Sequence, residues 1–339
     1  MRILVIRRDN IGDLVCTTPL FAALRARYPQ AHLAALVNSY NAAVLEGNPH
    51  VDAVHSYTKL KHRAVGESRI AIITARLGML VRLRREPYDY IVLAKDGLDR
   101  QGLALARQLR RRNIVGFANP GDKHISVAVR ALPDSELHEV QVLQRLAAAM
   151  DAPQADGPVR VYPRAALVDA WQQRLSLDPG RRWIALHVSA REAARRWPAA
   201  RCAELIRRLA SASTGVLLLW SPGAADNPAH PGDDDKAADI RARVGANPGL
   251  VAAPTATLAD LIAVLTLCRA FIGADGGALH IAAGLGLPIV GLYEERNAKR
   301  WHPWKVPHEM VVTPSGRVAD TTVDDVAQAA ARLAAYWMR

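Results

Sequence analysis

Short apolar runs separated by amphipathic segments recur along the whole chain. Ile3–Ile6 is the first run. It is apolar on both faces, the pattern of a strand buried in a parallel sheet. The loop Arg7 to Asp13 follows, then a segment with Leu14, Leu20, Phe21 and Leu24, stopped by Tyr28-Pro29. This predicts a helix starting somewhere between Gly12 and Pro19. Asp13 and Thr18 are both cap candidates, and Pro19 suits a first turn or a kink. Asp13 is thus either a helix cap or a carboxylate facing the open end of a sheet, where ligands of such folds bind. Ala31–Val37 predicts a second strand, completing a βαβ unit, and Val51–Tyr57 a third. Ser68–Arg85 predicts a helix with Ile70, Ile73, Leu77 and Leu80-Val81 near helical spacing. Strand Tyr88–Ala94, helix Gly102–Arg112, strand Ile114–Phe117 and helix Leu137–Met150 complete the first half.

Asp151 to Pro158 has linker chemistry, which predicts a domain boundary there, between 1–155 and 156–320. The alternation then restarts: helix Arg164–Leu175, strand Trp183–Val188, a polar loop to Pro198, helix Ala199–Ala210 and strand Val216–Trp220. Ser221 to Asp235 is rich in Gly, Pro, Asn and Asp and reads as a mobile, solvated surface loop. Helix Lys236–Val244, strand Leu250–Ala252 and helix Leu258–Leu265 follow. Thr321–Trp337 reads as a terminal helix near the domain junction, within a last segment, 321–339.

Phe271 to Tyr293, FIGADGGALHIAAGLGLPIVGLY, is the most structured stretch of all. It reads as strand, glycine turn, small-residue helix and second strand. Gly276 and Gly277 permit positive φ if the turn requires it, and Ala278, Ala282, Ala283 and Gly284 let the helix lie close on a sheet. Such a turn points free N–H groups and a positive helix end at one spot, which suits a phosphate. His280 adds a possible donor. The plainer alternative is an ordinary strand-to-helix turn with Asp275 as its cap.

With 339 residues, half of them hydrophobic and 22% charged, the chain is expected to form two soluble α/β domains. No uninterrupted apolar run of about 18 residues predicts a membrane span, and the N-terminus lacks the apolar core and cleavage site of a signal peptide. Cys16, Cys202 and Cys268 are odd in number and far apart, which matches neither a disulfide framework nor a metal site and fits a reducing cytoplasm. Net charge is +12 and unevenly spread. Residues 1–150 carry 22 Lys and Arg against 13 Asp and Glu, and residues 151–339 carry 22 against 19. The basic first half implies an anionic partner, unless it is simply an Arg-rich surface. The tail Arg82, Arg84, Arg85 either complements a helix dipole or forms a basic rim for an anionic acceptor or membrane. Aromatic residues do not interleave with the basic runs, so nucleic acid is not the expected partner.

Three stretches in order bring the chain close to one family. RRDNIGDLVCTTPLFAALRARYP, LHVSAREAARRWPAARCAELIRRL and GADGGALHIAAGLGLPIVGLY resemble the opening, the phosphate loop and the donor site of glycosyltransferase family 9, the lipopolysaccharide heptosyltransferases. LHEVQVLQRLAAAMDAP, at the end of the first domain, is also similar to that family. The resemblance implies an α/β GT-B fold, two Rossmann-like doubly wound domains with a cleft between them. It places Asp13 on the catalytic carboxylate, and Arg195 where many members have a Lys that meets the donor diphosphate. Asp275, Gly276, Gly277 and His280 fall on the donor motif, with Trp197 and Ser189 beside it. Asn10, Thr17, Lys59, Lys61 and Arg63 are the implied acceptor contacts. Gly276 stands where members usually have Ser or Thr, Val188-Ser189-Ala190 replaces the usual Pro-Gly, and the ribose-binding acid is one of Asp233, Asp234 or Asp235.

The chemistry so implied is an inverting transfer of heptose from ADP-heptose to the lipopolysaccharide inner core, with no metal and no cofactor. The expected partners are a nucleotide sugar, a lipid-linked or core oligosaccharide acceptor and the anionic inner face of the cytoplasmic membrane. A cytoplasmic, peripheral monomer is expected. Two alternatives stay open: a different nucleotide sugar or glycan acceptor, and a non-catalytic sugar-nucleotide binder.

Overall fold

The computed structural model describes residues 1–58, 68–111, 113–119, 122–132, 136–152, 157–226 and 231–338. The chain divides into two compact units, Met1–Val159 and Arg160–Arg339.

In the first unit the elements are β1 (Arg2–Ile6), α1 (Ile11–Val15), α2 (Thr18–Arg27), β2 (His32–Asn38), β3 (Ala53–Tyr57), α3 (Arg69–Arg85), β4 (Tyr90–Leu93), α4 (Arg100–Gln108), β5 (Ile114–Phe117), β6 (Val127–Val129) and α5 (Glu139–Ala148). A 3-10 turn over Ser39–Leu45 follows β2. The six strands form one parallel sheet in the order β3-β2-β1-β4-β5-β6. That is the doubly wound order of Rossmann folds, and the reversal between β1 and β4 opens a crevice at their carboxyl ends. Ile6, the last residue of β1, lies between Leu36 and Leu93. The loop that follows it therefore leaves from the middle of the sheet.

The second unit contains α6 (Ala165–Leu175), β7 (Arg182–His187), α7 (Ala199–Leu209), β8 (Thr214–Trp220), α8 (Asp234–Val244), β9 (Leu250–Pro254), α9 (Leu258–Thr266), β10 (Ala270–Ala274), α10 (Gly277–Gly284), β11 (Ile289–Tyr293), α11 (Glu295–Trp301), β12 (His308–Val312) and α12 (Val323–Trp337). Its sheet runs β12-β11-β10-β7-β8-β9, all parallel, which repeats the first unit's order with the switch point between β7 and β10. The terminal helix α12 places Val326, Ala329, Leu333 and Trp337 in the same core as Ile184, Ile272 and Val290, so its apolar face is part of this unit's interior.

Several details depart from the pattern in the sequence. The helix expected to start between Gly12 and Pro19 is two helices. The hydroxyls of Thr17 and Thr18 donate back to the carbonyls of Asp13 and Val15 (2.8 Å each), and Pro19 offers no N–H, so the ladder breaks at that point. In α3 the buried side chains are Ile72, Met79, Leu80 and Leu83. Of the apolar positions read from spacing, Leu80 is among these buried residues, whereas Ile70, Ile73, Leu77 and Val81 face outward. The Ser221–Asp235 segment is not a solvated loop at its ends. Trp220 Nε1 donates to Asp234 Oδ1 (2.7 Å), and the Asp233 N–H donates to the Ser221 carbonyl (2.9 Å). Gly276 has an extended backbone (φ 168°), and neither glycine of the turn lies in the left-handed region. The three cysteines are free and buried, and among the described residues no helix is long and apolar enough to cross a membrane.

Candidate active site

At the switch point of the first unit the β1–α1 loop carries Asp9 and Asp13 around a buried arginine. Arg7 is 2% exposed and donates Nη2 to Asp13 Oδ1 (2.5 Å) and Nη1 to Glu139 Oε1 (2.9 Å), with Asp9 Oδ2 3.5 Å from its Nε. Its Nη1 also donates to the Ala94 carbonyl at the end of β4. Burial alone would lower the pKa of this guanidinium, but Asp13, Glu139 and Asp9 together raise it further above its ordinary value. It is therefore a fixed positive charge. Asp13 Oδ2 accepts the Asn10 N–H (3.0 Å), the reach-back contact of a capping box, so both of its oxygens are oriented. The Asp13 side chain remains 15% exposed, whereas Glu139 is 1% exposed. The cap of α1 is Asn10, and Asp13, at the helix's third position, secures that start by reaching back to it while its side chain stays partly exposed.

The loop is clamped from outside. Asn38 Nδ2, Tyr40 Oη and Asn41 Nδ2, from the end of β2 and the turn after it, all donate to the Asp9 carbonyl (3.1, 2.9 and 3.2 Å). Sequence reading missed these three residues, and Arg7 and Glu139 as well. Arg7 and Glu139 are 132 positions apart, so no local pattern links them.

In the second unit the β10–α10 turn faces the loop after β7. Asp275 is not the cap of α10. That position belongs to Gly276, which has no side chain to accept a helix N–H. Among the described residues no side chain caps the first N–H groups of α10, the arrangement an anion site requires. Arg195 lies beside this end, with Nη1 3.4 Å from Asp275 Oδ2, Nε 3.2 Å from Glu294 Oε2 and Nη2 3.6 Å from Glu192 Oε1. Arg296 adds a second guanidinium, 3.0 Å from Glu294. Burial pushes the Asp275 carboxyl up to about 6; Arg195 opposes the shift, and Glu294 and Glu192 reinforce it. Burial acts the same way on Glu294, but hydrogen bonds from Arg296 and Arg195 outweigh it and hold Glu294 below its ordinary value. His280 is buried, with Nε2 3.8 Å from Asp275 Oδ1 and its ring edge-on to Trp301.

Other expected site residues have structural duties. Trp197 is buried in the core and donates Nε1 to the Thr321 carbonyl (2.9 Å), tying the chain ahead of α12 to α7 rather than meeting a donor. Thr17 is fully buried and its hydroxyl is committed to the Asp13 carbonyl, so it does not face an acceptor. The Ser189 hydroxyl accepts the Ser221 N–H (2.9 Å) and joins the ends of β7 and β8. Asp234 is committed to Trp220 and to the Gly223 N–H (2.9 Å). Asp233 is buried, 3.9 Å from Arg196 Nη1. Asn10 is exposed. Lys59, Lys61 and Arg63 lie outside the described residues. Among the described residues, no cluster of three or more His, Cys, Asp or Glu side chains is arranged to hold a metal ion.

Comparison with known proteins shows the family. The profile of glycosyltransferase family 9 (heptosyltransferase) matches residues 76–329. Lipopolysaccharide heptosyltransferase 3 of Escherichia coli is 24% identical over 302 residues, covering 86% of this chain and 83% of that relative. The family 9 glycosyltransferase of Veillonella parvula superposes with a TM-score of 0.81 at 16% identity, over 98% of this chain and 96% of its own. The E. coli ADP-heptose lps heptosyltransferase II superposes with a TM-score of 0.76 at 21% identity, over 98% of each. The two structures share the fold of this chain, two parallel-sheet Rossmann-like domains. The profile spans most of the sequence, and the chain belongs to glycosyltransferase family 9, the heptosyltransferases.

Proposed function

We propose that this glycosyltransferase moves heptose from ADP-heptose onto the inner core of lipopolysaccharide, by a metal-independent displacement that inverts the anomeric centre. The observation that carries the reading is Asp13, a carboxylate oriented by Arg7 and the Asn10 N–H yet still accessible at the carboxyl end of β1. A sugar hydroxyl is a weak nucleophile at neutral pH. Asp13 takes its proton as the new bond to the anomeric carbon forms and the bond to the diphosphate oxygen breaks. The departing ADP gains negative charge. Arg195 and the uncapped N–H groups of α10 stabilise it, the guanidinium exchanging its longer contacts with Asp275 and Glu192 for the diphosphate. Asp233 and Asp235 remain for the ribose, since Asp234 is committed. Exposed Asn10, with Lys59, Lys61 and Arg63, meets the anionic acceptor. Two of the similar proteins are named as lipopolysaccharide or ADP-heptose heptosyltransferases, which supports this donor and acceptor. The basic first unit holds the enzyme at the anionic cytoplasmic face of the membrane.

Two measurements test this. In a thermal-shift panel of nucleotides and nucleotide sugars, ADP is expected to raise the midpoint more than UDP or GDP. A preference for UDP would remove ADP-heptose as donor. Asp13→Asn is expected to lower turnover roughly 10²–10⁴-fold, the usual contribution of a general base, with ADP affinity unchanged. Near-normal turnover would remove Asp13 from that role.

A further inference from the structure

Helix α3 leaves a long apolar face uncovered. Ile70, Ile73, Leu77 and Val81 are 74%, 48%, 56% and 47% exposed, and their spacing of three, four and four residues keeps them within roughly 80° of the helix circumference. Isolated surface aliphatics need no explanation, but four in one row along a 17-residue helix do. The helix is held to the sheet by its other side, through Ile72, Met79, Leu80 and Leu83. The segment between Arg69 and Arg85 contains no Asp or Glu and carries five arginines. Helical geometry sets Arg85 and Arg82 beyond one edge of the stripe, whereas Arg69 and Arg76 lie past the buried Leu80 on the other side, where Arg76 stacks over the Tyr57 ring at 5.5 Å. Arg84, near the end of the helix, donates Nε to the Gln108 carbonyl.

An aliphatic row bordered by cations and free of acids matches one surface, the interfacial region of an anionic bilayer. The aliphatics enter the acyl boundary while the arginines stay with the headgroup phosphates. A second copy of the chain fits poorly, because two such helices laid stripe to stripe would bring arginine against arginine with no carboxylate between them. Nucleic acid offers nothing for the aliphatic row. We infer that α3 is the membrane-docking element of this enzyme, lying in the plane of an anionic lipid surface with Ile70, Ile73, Leu77 and Val81 inserted. This deepens the membrane placement proposed above and rests on it.

Flotation with lipid vesicles tests the inference. The wild type is expected to float with vesicles containing phosphatidylglycerol and to stay behind with pure phosphatidylcholine. Ile73→Ser combined with Leu77→Ser is expected to weaken that partitioning at least about tenfold, since two aliphatic side chains no longer leave water. Arg82→Gln combined with Arg85→Gln is expected to weaken it and flatten its dependence on salt. All four positions are exposed, so thermal midpoints and ADP binding are expected to match the wild type, and that match keeps misfolding out of the result. A serine variant that floats like the wild type overturns the role of α3 while leaving membrane placement intact. A wild type that ignores anionic vesicles overturns both. A wild-type dimer that the serine variant converts to monomer, seen by light scattering, assigns the stripe to self-association instead.

Discussion

Asp275 is an aspartate that the folded chain holds at a cost. Its carboxyl is raised from an ordinary value of 3.8 to about 6 because burial outweighs the nearby guanidinium of Arg195. Between those two values the folded protein binds a proton that the unfolded chain has released, so this group's contribution to stability falls as pH rises. The shift corresponds to about 2 kcal/mol lost between pH 4 and pH 7. Asp275→Asn removes the penalty. Its thermal midpoint is expected above the wild type's at pH 7.5, with the difference shrinking towards pH 4, and a pH-independent difference would show that burial is not the cause. Such a penalty is retained where a charge has work to do. Residues of this kind were only partly legible in the sequence. Asp13, Arg195 and Asp275 stand out because they sit in recognisable turns. Arg7 and Glu139 do not, because their meaning is a contact between the loop after β1 and α5. Trp197 and Thr17 were misread for the converse reason: their motif is visible, while the burial that commits them to Thr321 and Asp13 is not.

At the scale of elements, periodicity located strands wherever an apolar run was long enough to fill a central position. It missed β6, three residues at a sheet edge, and β12, whose Met310 and Val312 are exposed. It also grouped Leu80 of α3 with Ile70, Ile73, Leu77 and Val81, of which only Leu80 is buried, since aliphatics occur on both sides of that helix and spacing cannot say which side meets the sheet. Helix α10 shows how finely the small residues matter. A Cβ on Gly284 would stand 2.5 Å from Val161 Cγ2 and 3.2 Å from the Val161 nitrogen, so the helix sits directly on the chain leading to α6. On Gly276 a Cβ would meet only the Ala274 carbonyl, at 3.9 Å. Gly284→Ala is therefore expected to destabilise the protein by about 1–3 kcal/mol through overpacking. Gly276→Ser is expected to stabilise it by a few tenths of a kcal/mol, as a hydroxyl caps α10. Chemical denaturation of the two variants checks the contrast. Equal effects would mean that the closeness of α10 to Val161 is not what requires a glycine.

Across the whole molecule, the same strand order is used twice with different chemistry at each switch point. The first unit supplies a carboxylate braced by a buried arginine, and the second supplies cations and free peptide N–H groups. Every residue assigned to the diphosphate lies within 189–296, and none lies in the first unit. A ligand that binds only the folded state stabilises the part it touches, by about 2.7 kcal/mol at a hundred times its dissociation constant. That gain appears as slower amide exchange where local opening would break the site. On adding ADP, protection is therefore expected to rise in peptides covering 188–196 and 275–284. Peptides covering 7–13 are expected to change little until an acceptor is also present, because Arg7, Asn38, Tyr40 and Asn41 already fix that loop without a ligand. If ADP instead protected 7–13 and left 275–284 unchanged, the base and the leaving-group site would have been assigned to the wrong units. Protection in both second-unit segments, absent in Arg195→Ala, would tie the nucleotide to that guanidinium and to the open end of α10.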